Sequence, residues 1–269
     1  MAYKLLISDV DGTLIDERKR IPPVNKEAVM MLKQKGYYFT LATGRMFNSA
    51  YSFINELEVD FPVIVGNGAQ IVDGKTGKVI YEKKTSIHAN ILQKALLLCR
   101  EYSFEPLIYE KDRIYVEKKN EIIEEHMKDE NPLIYPVGDL SQFIDREVSN
   151  LLLIGSPEKF KPFQVQLEKS LASTVNIVQS GDTFLEILPT GVSKGDALVA
   201  LATEFGLKLQ DIIAIGDNQN DLEMVEKAGL GVASRNAHPQ IINAADYVTE
   251  KDNNEGAVAE VIYEFFIAN

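Results

Sequence analysis

The sequence predicts a Rossmann-like, doubly wound α/β core, built on a parallel sheet and interrupted by an inserted α+β unit. Three observations predict it. Both ends of the chain alternate short apolar runs with segments of helical periodicity, the pattern of a parallel sheet flanked by helices. Stretches bearing carboxylates and glycines follow directly on those apolar runs, where such sheets place their ligands. The middle of the chain instead carries a hairpin turn and paired strands with few helices between them. With 269 residues, 45% of them hydrophobic, the chain has ample material for a core, and about 150 residues per domain gives two domains.

The first strand is 4–8, containing Leu5-Leu6-Ile7. Helical spacing over 24–35 ends before Gly36. Strands at 37–42 and 62–65 bracket a helix at 47–57. Strands at 70–72 and 79–82 flank Asp73-Gly74-Lys75-Thr76-Gly77, a strong hairpin signal. The middle reads as a long helix at 89–102, paired strands around 106–109 and 114–117, and a polar helix near 121–128. An apolar strand at 148–154, a helix at 159–171 and strands at 176–179 and 183–187 follow. The alternation then resumes with a helix at 196–205, a strand at 211–215 and a helix at 222–228 stopped by Gly229. Short strands at 231–233 and 246–248 precede a last helix at 257–267. Residues 84–190 are therefore the insertion, and 1–83 with 191–269 form a discontinuous core.

Lys plus Arg number 28 and Asp plus Glu 40, so the net charge is -12. Such a surface repels nucleic acid and anionic membranes, and neither is expected as a partner. An anionic substrate is repelled at long range too, so its site has to supply a metal or a lysine. The one cysteine, Cys99, cannot form a disulfide within the chain, which fits a reducing compartment. Its setting, Leu96-Leu97-Leu98-Cys99, reads as a buried helical thiol. No run approaches the ~18 apolar residues of a membrane span, and the early first strand leaves no room for a signal peptide. The expectation is a soluble cytoplasmic protein, a monomer or a weak homodimer.

Four motifs carry the chemistry. Asp9-Val10-Asp11-Gly12-Thr13-Leu14 puts two carboxylates at the end of a buried strand, where desolvation is costly and stability gains nothing. On extended backbone i and i+2 point the same way, so both are expected to face one ligand. Gly12 permits a sharp turn and a close approach of backbone N–H groups to an anion. In Leu41-Ala42-Thr43-Gly44-Arg45, Thr43 offers a hydroxyl and Gly44 an N–H to a phosphate oxygen, or Thr43 caps the following helix. In Gly191-Val192-Ser193-Lys194-Gly195, Lys194 opens a helix against its macrodipole, which makes sense if it meets an anion, or else it is solvated. In Ile215-Gly216-Asp217-Asn218-Gln219-Asn220-Asp221, oxygen ligands suited to Mg²⁺ follow a strand. Helix capping by Asn220 or Asp221 leaves Asp217 unexplained.

Together these stretches resemble the four motifs of the haloacid dehalogenase superfamily of aspartate-nucleophile phosphohydrolases. Gly66-Asn67-Gly68-Ala69, Glu186-Ile187-Leu188-Pro189, Gly231-Val232-Ala233 with Asn236-Ala237, and Ala245-Asp246-Tyr247-Val248-Thr249 are similar to the Cof-type subfamily. The resemblance is dense in the core and weak between about 84 and 180. It implies a haloacid-dehalogenase-like catalytic core and, from the insert lying between Thr43 and Lys194, a type 2 (C2B-like) α/β cap acting as substrate lid. The earlier insert position of dehalogenases and β-phosphoglucomutases has no room here.

The resemblance implies a Mg²⁺-dependent phosphatase of small phosphorylated metabolites, sugar phosphates or phosphorylated cofactors. Asp9 is then the nucleophile that becomes an aspartyl-phosphate, and Asp11 the general acid and base. Asp9, the Asp11 carbonyl and Asp217 are the implied metal ligands, with Asp221 orienting a metal-bound water or Lys194. Val10, Thr43, Gly44, Lys194 and Asn220 are the implied phosphate grip. A phosphosugar mutase on the same fold is the alternative, and a silent ligand-binding protein a further one. A dinucleotide-binding dehydrogenase would need a glycine fingerprint where Asp9 and Asp11 stand. Tyr109, Tyr115 and Phe184 read as core packing or as lining of the lid. Arg45 reads as a phosphate contact or a partner of an acid on the surface, and His88, His126 and His238 as structural or surface residues.

Overall fold

A computed structural model describes residues 3–110, 113–128, 133–143, 145–169 and 175–268. In chain order they form β1 (Leu5–Ser8), α1 (Pro23–Gln34), β2 (Tyr38–Leu41), α2 (Phe47–Glu56), β3 (Val63–Val65), β4 (Gln70–Val72) and β5 (Val79–Glu82). Next come α3 (Ala89–Tyr102), β6 (Glu105–Glu110), β7 (Arg113–Val116), α4 (Glu121–Met127), β8 (Ile134–Pro136), β9 (Asn150–Ile154), α5 (Phe160–Glu168), β10 (Val175–Gly181) and β11 (Phe184–Pro189). The chain closes with α6 (Lys194–Glu204), β12 (Ile212–Gly216), α7 (Leu222–Lys227), β13 (Leu230–Ala233), α8 (Pro239–Ala244), β14 (Tyr247–Val248) and α9 (Ala257–Ile262). Two compact units result, 1–82 with 193–269, and 83–192.

The first unit is organised by a parallel sheet in the order β14-β13-β12-β1-β2. Every residue of β1 and β12 is buried. Strands covered on both faces read as continuous apolar runs, as Leu5-Leu6-Ile7 and Ile212-Ile213-Ala214-Ile215 do. Leu6, Phe39, Leu41, Ile213 and Ile215 face α1 and α9, while Leu5, Ile7, Ile212 and Ala214 face α6. The register matters most for function. Ser8 lies opposite both Leu41 and Ile215. The chain therefore leaves β1, β2 and β12 at one level, and Asp9, Thr43 and Asp217 emerge at the same sheet edge.

The strand expected at 62–65 departs from that sheet. β3 pairs antiparallel with β4 in a separate three-stranded sheet, β3-β4-β5. A single bridge, Ala42 to Ile64, ties it to the parallel edge. The cause is the turn at Gly66-Asn67-Gly68, where all three residues take positive φ of 58, 54 and 96° and fold the chain straight back. Two elements went unseen in the sequence. β8 is three residues ending in proline, and α8 is one short helix opened by His238, whose Nδ1 accepts the Gln240 N–H at 3.2 Å. The expected helix 159–171 is observed as α5, and its last two positions lie outside the described residues.

The second unit is a six-stranded sheet in the order β10-β11-β9-β6-β7-β8, antiparallel except for β7 with β8. Helices α3 and α5 cover one face through Ile91, Leu92, Ala95, Phe163 and Leu167, packed on Ile108, Leu151, Leu153, Leu185 and Ile187. Tyr115 belongs to this core, with its ring 4.5 Å from that of Phe143. Tyr109 is buried and Phe184 half-buried. Cys99 is buried here too, and burial pushes its thiol well above the ordinary range, an inert setting. Among the described residues no helix is long and apolar enough to cross a membrane.

Candidate active site

Asp9 is the first residue beyond β1. Its N–H donates to the Ile215 carbonyl at 3.0 Å, which pins it beside the end of β12. Asp217 follows β12 directly, and Asp221 closes the turn Gln219–Asp221 that leads into α7. One carboxylate oxygen from each of Asp9, Asp217 and Asp221 lies within 4.8 Å of the others. Lys194, wholly buried at the head of α6, donates from Nζ to Asp9 Oδ1 at 2.5 Å and to Asp221 Oδ1 at 2.6 Å. Its placement against the helix dipole is thus answered by two anions. Ser193 caps the same helix, its Oγ accepting the Asp196 N–H at 3.0 Å.

Each carboxylate is also aimed by its own partners. Asp221 Oδ2 accepts the N–H groups of Asp217 at 3.0 Å and Asn218 at 3.1 Å. Thr13 Oγ donates to Asp217 Oδ1 at 2.6 Å. Gly12 has φ +82°, and a Cβ there would stand 2.4 Å from Asp217 Oδ2, so only glycine permits this approach. Gly12→Ala carries about 1–3 kcal/mol of backbone strain and displaces Asp217. Divalent-cation binding, followed by calorimetry, is expected to weaken at least ~10-fold, with a lower melting temperature.

The electrostatics of the cluster call for a cation. Burial pushes Asp9 up to about 7, against the pull of Lys194, with Asp221 and Asp11 adding to the rise. Asp217 stands well above the ordinary carboxylate range, first from burial and then from Asp9 and Asp221. Three carboxylates face one ammonium, so two negative charges are unbalanced when all are ionised. Protons or a divalent ion must neutralise them, and an all-carboxylate donor set suits a hard cation. The residues present therefore fit a metal ion.

Asp11 is the first residue after Val10 and lies near enough for its charge to act on Asp9. The Asp11 carboxylate accepts Arg45 Nε at 2.6 Å and Nη2 at 2.8 Å, and Lys19 Nζ at 2.9 Å. Burial raises this acid, yet the bonds and charge of Arg45, helped by Lys19, outweigh it and hold Asp11 at about 2. Arg45 thus partners an acid, but as a buried side chain rather than on the surface.

Thr43 is buried and does not cap α2, which starts only at Phe47. Its Oγ accepts the Arg45 N–H at 3.0 Å, which leaves the hydroxyl proton for an anion. Val10 is buried behind Asp9. Asn220 Nδ2 donates to Asn67 Oδ1 at 2.9 Å, and a Cβ on Gly44 would lie 3.1 Å from the Asn67 amide. Asn67 therefore gathers the Thr43 loop and the Asn220 turn. Its role was missed in the sequence, although an Asn between two glycines is itself a signal for left-handed backbone. Thr13 and Lys19 were also missed. Of the histidines, His88 precedes α3 and His238 caps α8. The side chain of His126 lies outside what is described.

The family of haloacid dehalogenase-like hydrolases matches residues 6–262. Stress response protein YhaX of Bacillus subtilis is 33% identical over 99% of this chain and 94% of its own length. The 5-amino-6-(5-phospho-D-ribitylamino)uracil phosphatase YwtE, also of Bacillus subtilis, is 31% identical, covering 96% of each chain. The crystal structure of a haloacid dehalogenase-like hydrolase from Bacteroides thetaiotaomicron superposes with a TM-score of 0.81 at 30% identity, over 98% of this chain and 100% of that one.

Proposed function

The chain belongs to the haloacid dehalogenase-like hydrolases and is a phosphatase of that family, and we propose that it cleaves phosphate monoesters of small metabolites through an aspartyl-phosphate on Asp9. The observation that carries this reading is the buried set of Asp9, Lys194, Asp217 and Asp221, gathered where β1 and β12 end. A carboxylate approaching a phosphate dianion meets repulsion of about 4 kcal/mol per unit-charge pair at ~4 Å in a partly dry site. Lys194 offsets part of it. Asp9, Asp217 and the Asp11 carbonyl are the proposed holders of Mg²⁺, which when bound supplies the remaining positive charge at the phosphoryl oxygens.

On this reading an Asp9 carboxylate oxygen attacks phosphorus as the bond to the leaving oxygen breaks. Arg45 and Lys19 hold Asp11 ionised until a phosphate dianion sits beside it. That negative charge favours the protonated acid, which gives the leaving oxygen its proton and then takes one from the water that cleaves the acyl phosphate, restoring Asp9 and releasing inorganic phosphate. The Thr43 hydroxyl, the N–H groups of Gly44 and Val10, Lys194 and the Asn220 amide grip the phosphoryl oxygens. Such transfer is mostly positioning and charge neutralisation. Sugar phosphates and phosphorylated cofactors are the proposed substrates, the name of YwtE being that of a phosphoribityl compound's phosphatase.

Phosphate release from a panel of phosphorylated metabolites tests the reading. Release with Mg²⁺ is expected to vanish in EDTA and return on readdition. Transfer to a sugar phosphate without phosphate release would replace the hydrolase by a mutase.

A further inference from the structure

We propose that Arg45 is a positioning residue for the proton-transfer step, its guanidinium fixing the Asp11 carboxylate so that one lone pair of Oδ2 remains to give and take the proton. The inference rests on the phosphatase reading above, in which Asp11 serves the leaving oxygen.

The two partners differ in freedom. The Arg45 side chain is 6% exposed and that of Asp11 33%, so the guanidinium is the anchor and the carboxylate is the guided group. Arg45 is fixed along its length. Its N–H donates to Thr43 Oγ at 3.0 Å, its carbonyl accepts the Gly66 N–H at 2.9 Å, and its guanidinium carbon lies 5.4 Å from the centre of the Phe53 ring. The fork then takes both Asp11 oxygens, Nε to Oδ2 at 2.6 Å and Nη2 to Oδ1 at 2.8 Å.

Counting lone pairs identifies the reactive oxygen. A carboxylate oxygen offers two acceptor positions. Oδ1 has both engaged, by Arg45 Nη2 and by Lys19 Nζ at 2.9 Å. Oδ2 has one, with Arg45 Nε. The proton therefore rides on Oδ2 and passes to the leaving oxygen as that oxygen takes up the electron pair of the breaking P–O bond. A pair that served stability alone would not need the planar fork, and a one-third exposed partner contributes little to it. The fork is also what lysine cannot reproduce.

The test compares kcat/KM for phenyl phosphate and p-nitrophenyl phosphate, aryl esters that differ in how much the leaving oxygen needs a proton. Arg45→Met is expected to lower kcat/KM about 100-fold for phenyl phosphate, and at least ~10-fold less for the activated nitrophenyl ester. Arg45→Lys, which keeps the charge and loses the fork, is expected to fall between, with the same dependence on leaving group, and serves alone if the Met variant fails to fold. Equal losses with both esters, or no loss with either, would overturn the inference, since a merely structural role lowers both together. The phosphatase reading fails separately: wild type would then release no phosphate from either ester, or Asp9→Asn would retain release.

Discussion

Asp9→Asn is expected to abolish phosphate release, by about 10⁴-fold or more, while the protein stays folded and melts no lower than wild type. The amide keeps the size and the position beside Ile215, because the backbone N–H that holds residue 9 is untouched. It loses the charge that, in the proposed mechanism, attacks phosphorus. Stability follows the opposite sign. Asp9 is pushed up to about 7 because burial and two neighbouring acids oppose its ionised form. A neutral residue relieves that opposition, and replacing one member of a crowded buried ionic set by a neutral isostere is often harmless to the fold. A phosphate-release assay and a thermal melt, run on the same preparation, separate the two effects. Release within ~100-fold of wild type would remove Asp9 as nucleophile, and a large loss of melting temperature would mean that its charge is structural.

How much of this was legible in the chain depends on how local the cause is. The sheet could be read because strands buried on both faces must be continuous apolar runs, as Leu5-Leu6-Ile7 and Ile212-Ile213-Ala214-Ile215 are. The gathering of Asp9, Asp217 and Lys194 could be read because Asp9 and Asp217 follow those runs, and because Lys194 stands where the helix dipole disfavours a cation. The direction of the Asp11 carboxylate could not, since Arg45 lies 34 residues away in sequence and nothing in Asp9-Val10-Asp11 encodes the pairing. β3 is a second case: its residues are as apolar as those of a central strand, while the positive φ at Gly66, Asn67 and Gly68 reverses the chain after it into antiparallel pairing with β4.

Lys194→Met is expected to lower both turnover and stability, and to make stability depend on divalent cation. Lys194 is fully buried between Asp9 and Asp221. Burial works against its charge, but Asp221 and then Asp9 outweigh that and hold the ammonium above its ordinary value. Methionine fills similar space and leaves three carboxylates facing one another. Removing one side of a buried ionic set costs about 3–5 kcal/mol, a fall of roughly 6–20 °C in melting temperature in EDTA at neutral pH. The pH dependence has a definite sign. A carboxylate whose folded pKa is raised, as that of Asp9 is to about 7, binds more protons folded than unfolded between about 4 and that value. Stability therefore rises as pH falls through this window, and more so once the compensating lysine is gone. The deficit of the variant should shrink between pH 8 and pH 5. Mg²⁺ should raise its melting temperature more than that of wild type, because the buried negative charge left unbalanced is larger. Melts across pH, with EDTA and with Mg²⁺, check both statements. A deficit that ignores pH and cation alike would mean that Lys194 stabilises by packing rather than by charge.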